Sequence, residues 1–150
     1  MTSNTFVAKP KDITRQWFVV DAAGHRLGIL ASAVAKTLTG KNKPIYTPNI
    51  DTGDFVIVVN ADKIEIAGAK ANKKVYRRHT QYPGGLREVP YTKMQTEHPE
   101  RIIELAVKGM LPKNKLGEAM FTKLKVYAGP NHPHTAQAPA ELEVRVRPNV

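Results

Sequence analysis

The sequence contains no cysteine in 150 residues. That excludes disulfides, thiolate nucleophiles and cysteine-based metal sites, and it fits a reducing compartment. No apolar run approaches the ~20 residues that a spanning helix requires, so no membrane association through a spanning segment is expected. The opening MTSNTFVAKPKDITRQW lacks the apolar centre of a signal peptide and does not read as a transit peptide. Acid is missing where base is dense: residues 69–87 hold six lysines and arginines and no aspartate or glutamate. There are no internal repeats and no compositional break, so residues 1–150 are expected to form one domain. A chain of this length can hide roughly 70% of its unfolded surface, enough for an ordinary hydrophobic core.

What the chain has instead is positive charge. Lysine and arginine outnumber aspartate and glutamate 23 to 13, for a formal net charge of +10 and a pI of about 9.9. Charge of this size bears on partners rather than on fold. Nucleic acid is the first candidate partner and an anionic membrane surface the second. The membrane reading is weakened because no strongly amphipathic helix pairs exposed aromatics with lysines. The basic residues lie within foldable sequence, so the chain is expected to fold first and then present a basic face.

Residues 1–16 read as a polar arm lying on the surface, or as a mobile terminus. Trp17 to Ala22 is apolar at consecutive positions, as in a strand covered on both faces. Leu27, Leu30, Ala31, Val34 and Leu38 step by three and four, the stripe of an amphipathic helix, and Gly40 is a natural stop for it. Residues 40–54 form a long connection with two prolines and two glycines, and long ordered loops are commonly functional. Phe55 to Ala61 is a second apolar strand. Lys63 to Gly68 alternates, as a short edge strand or an irregular turn. Val75 and Tyr76 suggest a short strand, Pro83-Gly84-Gly85 a bend, and Tyr91 to Glu97 a weak helix. Pro99 suits a first helical position and Glu100 its positive end. The following helix is apolar round most of its girth, which places it between the sheet and another helix. Pro112 ends it, Asn114 caps the next helix to about Lys123, and Leu124 to Ala128 is the last strand. The core thus spans 17–129. Four prolines argue against regular structure in most of the tail, 130–150. The order of elements predicts an α/β sandwich with a small, largely parallel sheet joined by right-handed crossovers.

Catalytic and metal chemistry finds little support. The first strand-to-helix turn, Asp21 to Gly28, matches neither GxGxxG nor GxxxxGK[ST], and His25 and Arg26 stand where a pyrophosphate would need bare backbone. Asp51 and Asp54, near Lys41 and Lys43, are two carboxylates in a Pro/Gly loop, which turn formation and capping explain without a metal. Glu100 and Glu104 share a helix face, an ordinary arrangement of surface charge. His132 and His134 flank Pro133, but zinc needs further ligands, and nothing places His25, His79 or His98 beside them. No cofactor, metal or small-molecule substrate is expected.

The basic stretches point elsewhere. A surface normally mixes charge signs. Residues 69–87 do not, and Tyr76 and Tyr82 are interleaved among their cations. From Lys108 to Lys125 there are five lysines and one glutamate. Such patches neutralise phosphates and release counterions, while arginine and tyrosine can stack on unpaired bases. No RNP aromatic pair, KH clamp or zinc finger is present, so composition alone indicates a shape-reading nucleic-acid binder and leaves DNA and RNA both open.

The span from Val107 reads VKGMLPKNKLGEAMFTKLKVYAGPNHPHTAQAP. Within it Val107-Lys108-Gly109-Met110-Leu111-Pro112, Leu116-Gly117, Leu124 to Gly129 and His132-Pro133-His134 follow in order. Upstream stand Trp17 to Ala22, Gly28, Gly40-Lys41, Tyr46-Thr47-Pro48, Gly53-Asp54 and Asn60-Ala61, then Lys74-Val75-Tyr76, Gly84-Gly85 and His98-Pro99-Glu100-Arg101. Taken together, Trp17 to Pro139 resembles the bacterial-type family of large-subunit ribosomal proteins conventionally numbered thirteen. The resemblance implies a three-layer α/β/α sandwich around a four-stranded, mainly parallel sheet, with extended basic loops and tail. It implies a structural, non-enzymatic ribosome constituent that binds large-subunit ribosomal RNA, lies beside other large-subunit proteins and acts early in assembly. Its setting would be the cytoplasmic ribosome, or the plastid stroma for a chloroplast source. On this reading Lys41 and Lys43 neutralise phosphates from one loop. Lys70, Lys73, Lys74, Arg77, Arg78 and His79 do so from the basic excursion. Lys108, Lys113, Lys115, Lys123 and Lys125, with His132 and His134, form a third contact surface. A regulatory RNA or mRNA binder working off the ribosome would use the same residues, and an enzyme acting on nucleotide phosphates is the rival class. Arg145 and Arg147 are expected only to be solvated.

Overall fold

In the computed structural model residues 6–144 are described, so the expectation for Arg145 and Arg147 lies outside the described residues. Strand β1 (Trp17–Asp21) leads into helix α1 (Leu27–Thr39), and β2 (Phe55–Val59) follows. The basic excursion contains one turn of helix, α2 (Lys70–Lys73), and two strands, β3 (Val75–His79) and β4 (Leu86–Pro90). Helices α3 (Tyr91–Glu97), α4 (Pro99–Met110) and α5 (Lys115–Thr122) precede β5 (Leu124–Val126), and β6 (Ala140–Glu141) comes last. The sheet runs β5-β2-β1-β6 with every pairing parallel, and helices flank it.

Alternation along the strands sorts the side chains. Val20, Val56, Val58 and Leu124 join the core beneath the helices, together with Leu30, Val34, Leu38, Ile102, Ile103 and Val107. Fully hiding a leucine or isoleucine of this kind contributes about 1.5–3 kcal/mol. Trp17 and Phe55 are register partners on the opposite face, with their rings stacked at 4.3 Å. The segment between β5 and β6 lies over them: His134 sits 5.2 Å from the Trp17 ring. This outer layer is thin, a proline-rich crossover with a single 3-10 turn, Thr135–Gln137.

Local signals set most element ends. Gly40 closes α1 in the left-handed region, φ 79, and a side chain there would strike Thr52. The Asn114 side chain accepts the Gly117 N–H at 2.8 Å and caps α5. The arm is docked along the body: the buried Ala8 donates its N–H to Thr47 Oγ1 at 3.2 Å, and Gln16 N–H donates to Asp54 Oδ1 at 2.8 Å.

Three expectations are corrected. The basic excursion is not an extended loop, because β3 and β4 pair as an antiparallel hairpin; β4 was hidden by its charges and by Pro90. Helix α4 is not apolar round most of its girth, since its buried residues are Pro99, Ile102, Ile103 and Val107. Leu105 is 47% exposed, since it stands two residues, or about 200° of helical turn, from the buried Ile103 and Val107. The tail supplies the fourth strand, and Leu142 N–H continues the ladder to Val19 O at 2.8 Å. Lys63 to Gly68 is irregular, with one bridge from Arg26 to Glu65.

Gly109 lies on the exposed side of α4, and among the described residues a methyl group there would meet nothing within 4 Å beyond its chain neighbours and the nearby backbone of its own helix. Glycine inside a helix is about 1 kcal/mol less favourable than alanine. Gly109→Ala is therefore expected to raise the denaturation midpoint by about that free energy, measured by urea unfolding. A lowered midpoint would show that the fold itself requires the glycine.

Candidate nucleic-acid interface

Two of the lysines expected to meet phosphate are committed inside the fold. Lys123 is only 4% exposed. Its Nζ donates to Leu38 O at 3.0 Å and to Asp51 Oδ1 at 2.5 Å, so it satisfies a carbonyl at the C-terminal end of α1. Burial lowers its pKa below the usual lysine value, partly offset by Asp51. Lys43 Nζ donates to Asp54 Oδ1 at 2.6 Å, Thr14 O at 2.7 Å and Thr52 O at 3.2 Å. The correction has a physical basis: an ammonium with this many fixed acceptors has few donors left for a ligand. The same contacts explain Asp51 and Asp54, which tie the 40–54 loop to α1, to the end of α5 and to the arm. Arg15 approaches Asp51 at 3.7 Å.

The histidine pair is also built in. His134 Nε2 lies 2.8 Å from the Tyr127 hydroxyl, and His132 Nδ1 accepts the His134 N–H at 3.2 Å. Their pattern fixes the crossover over Trp17, and both are half-buried. His79, exposed at the end of β3, accepts the Gln81 N–H at 3.0 Å.

The remaining cations gather differently from their order in sequence. The hairpin is joined to α3 and faces α4 and α5 across a groove of about 800 Å³. Lys74, Arg77, Arg78, Arg87, Arg101 and Lys108 line its walls, and Glu104 is the one acid lining it among the described residues. Val89, Met94, Leu105, Ala106 and Phe121 supply apolar surface. Antiparallel pairing sets Arg78 directly opposite Arg87, an arrangement of like charges that destabilises an isolated sheet. Arg77, next along β3, pairs with its register partner Glu88 at 2.5 Å at the groove wall; both are exposed, and such a pair contributes little. Glu88 raises the Arg77 pKa. The Lys74 ammonium lies 5.3 Å from the centre of the Tyr76 ring, and Lys108 lies 5.6 Å from that of Phe121.

Lys108 and Phe121 also line a second depression of about 450 Å³ with Leu111, Pro112, Lys113 and Gly117. The groove therefore continues around the α4–α5 corner. That corner is tight: a side chain on Gly117 would collide with Pro112 O. Lys115, Lys125, Lys41, Lys70 and Lys73 are exposed but line neither depression. Arg87 and Arg101 are groove residues that sequence reasoning left out of the site. Arg87 stood in the basic stretch without a role, and Arg101 entered only as part of the family motif His98-Pro99-Glu100-Arg101.

Tyr76 marks where the hairpin meets the body. Among the described residues its buried hydroxyl has no hydrogen-bond partner. Burial, with Tyr91 nearby, pushes its pKa up to about 12. The neutral phenol is the form the fold accepts, so this contribution to stability is fully present below the unfolded value near 10 and is lost as pH rises through the folded value. Tyrosine absorbance titration should show Tyr76 titrating late, with Tyr91 also raised by burial, and both should become normal on unfolding. Uniform titration near the ordinary value would contradict the packing of this side chain.

The family model described as "Ribosomal protein L13" matches residues 15–133. The chain belongs to the ribosomal protein L13 family. Among curated relatives, the "Large ribosomal subunit protein uL13" of Alcanivorax borkumensis is 59% identical over 140 residues, covering 93% of this chain and 99% of the relative. The protein of the same name from Pseudomonas putida is 56% identical over 140 residues, with the same coverage. That from Crocosphaera subtropica is 56% identical over 147 residues, covering 98% of this chain and 97% of the relative. All the groove residues lie inside the L13 match, whereas His134 and β6 lie beyond it.

Proposed function

We propose that the protein is a structural constituent of the large ribosomal subunit that binds large-subunit ribosomal RNA and supports early assembly. The name shared by relatives that align along nearly the whole chain carries the reading. The cation-walled groove supports it, because that surface suits a phosphate backbone. A rigid sandwich that holds converging RNA strands on fixed cations lowers the repulsion between them. The protein works as a scaffold rather than as an enzyme, ribosome-bound in the cytoplasm, with ribosomal RNA and adjacent large-subunit proteins as partners. Contacts are assigned to Lys74, Arg78, Arg87, Arg101 and Lys108 in the groove, and to Lys113 and Lys115 at its corner. Lys41, Lys70, Lys73 and Lys125 add exposed charge around it.

The test is filter binding of the full chain to large-subunit RNA across a salt series, with unrelated RNA as competitor. Affinity should fall steeply with salt, and large-subunit RNA should resist competition. Equal competition by unrelated RNA would contradict the proposal.

A further inference from the structure

A duplex backbone explains the cations of the groove but not its floor. Duplex RNA keeps its bases stacked inside and presents hydrated phosphates and 2′-hydroxyls. Such a partner would cover Leu105, 47% exposed, and the adjoining Met94, Ala106 and Val89 with polar atoms. An apolar floor inside a ring of cations matches a ligand that has a flat apolar face and an anionic edge. An unpaired nucleotide has both. Its base can lie on the floor and against guanidinium planes, while its phosphates meet forked donors.

Two observations favour a nucleotide over an acidic peptide. Four of the six cations are arginines, the side chain that both forks to phosphate and stacks on bases. Tyr82 stands 75% exposed at the hairpin tip and offers a further ring for stacking. The facing pair Arg78 and Arg87 places two like charges where one anion relieves both.

We propose that the groove between the hairpin and α4 holds one unpaired nucleotide of the bound RNA, with its base on the Leu105 floor and its phosphates at Arg78 and Arg87. The proposal rests on the ribosomal-RNA reading above and adds the form of RNA that this part of the surface selects.

The experiment is fluorescence anisotropy with the full chain. The probes are a labelled single-stranded RNA of about ten nucleotides and the same strand annealed to its complement, with poly-glutamate as competitor. The single strand should bind about tenfold more tightly than the duplex. Leu105→Gln should weaken single-strand binding about fivefold and leave the salt slope unchanged, because no phosphate contact is removed. Leu105→Phe should retain or improve it, which separates a lost floor from a damaged fold. The proposal is overturned if duplex and single strand bind alike, or if Leu105→Gln leaves single-strand affinity unchanged. Displacement of RNA by poly-glutamate as efficiently as by unlabelled RNA would instead assign the groove to an acidic protein segment. Failure of the ribosomal reading is seen separately, as loss of preference for large-subunit RNA by the unaltered chain. If that preference persists while Leu105→Gln has no effect, only the nucleotide pocket falls.

Discussion

Lys123→Ala should destabilise the protein by roughly 3–5 kcal/mol, the usual result of removing one member of a buried ion pair. Lys125→Ala, two residues away, should leave stability nearly unchanged. The contrast follows from position. Lys123 is buried between Leu38 O and Asp51, whereas Lys125 projects from β5 into solvent. Truncation strands a largely buried Asp51 carboxylate with only Arg15 nearby, at 3.7 Å, and leaves the Leu38 carbonyl without this donor. It also loosens the 40–54 loop, because Lys123 ties Asp51 of that loop to Leu38 O of α1. Denaturant unfolding of both variants measures the difference. Equal, small losses would mean that Lys123 is an ordinary surface lysine and that its assignment to the fold is wrong.

The largest binding effect belongs to the facing arginines. Arg78→Glu with Arg87→Glu should lower affinity for large-subunit RNA about a hundredfold, on the order of tenfold or 1.4 kcal/mol for each reversed contact. The logarithmic salt slope should fall by roughly 1.4–1.8, at ~0.7–0.9 per phosphate contact. Both side chains are exposed, and like charge faces like charge before and after, so folding should be unaffected. Arg87→Glu alone provides a sharper contrast. It converts a repulsive cross-strand pair into an attractive one, which should stabilise the hairpin by about 0.2–1 kcal/mol while still weakening RNA binding. Filter binding and thermal unfolding on the same preparations test both signs. Unchanged affinity in the double variant would remove the hairpin from the interface. Arg77 is a poorer target, since its reversal also breaks the pair with Glu88.

The features legible in the sequence were those decided within a few residues. The stepped stripe of α1, the Gly40 stop, the first-turn Pro99 and the Asn114 cap each rest on local geometry, and each stands where expected. Residues whose roles depend on distant partners were not legible. Lys123 looked like one more lysine in a basic run, because its acceptors lie 72 and 85 positions away along the chain. β6 is a two-residue strand among prolines, and only β1 beside it makes it a strand. Arg87 and Arg101 joined the site through hairpin pairing and the approach of α4, neither of which leaves a periodic trace. Charge density singled out the stretches of chain that supply most of the groove's cations. It could not separate ammonium groups that face solvent from those that hold loops to helices.

On the proposed function the folded chain is a built-in part of the large subunit, held by fixed cations rather than by diffuse charge. Co-sedimentation with large subunits through a high-salt wash tests it most directly. The unaltered chain should remain with the large subunit and be absent from the small one, while the Arg78→Glu, Arg87→Glu double variant, folded and equally soluble, should be depleted. A chain that washes off, or that distributes equally over both subunits, would contradict the account.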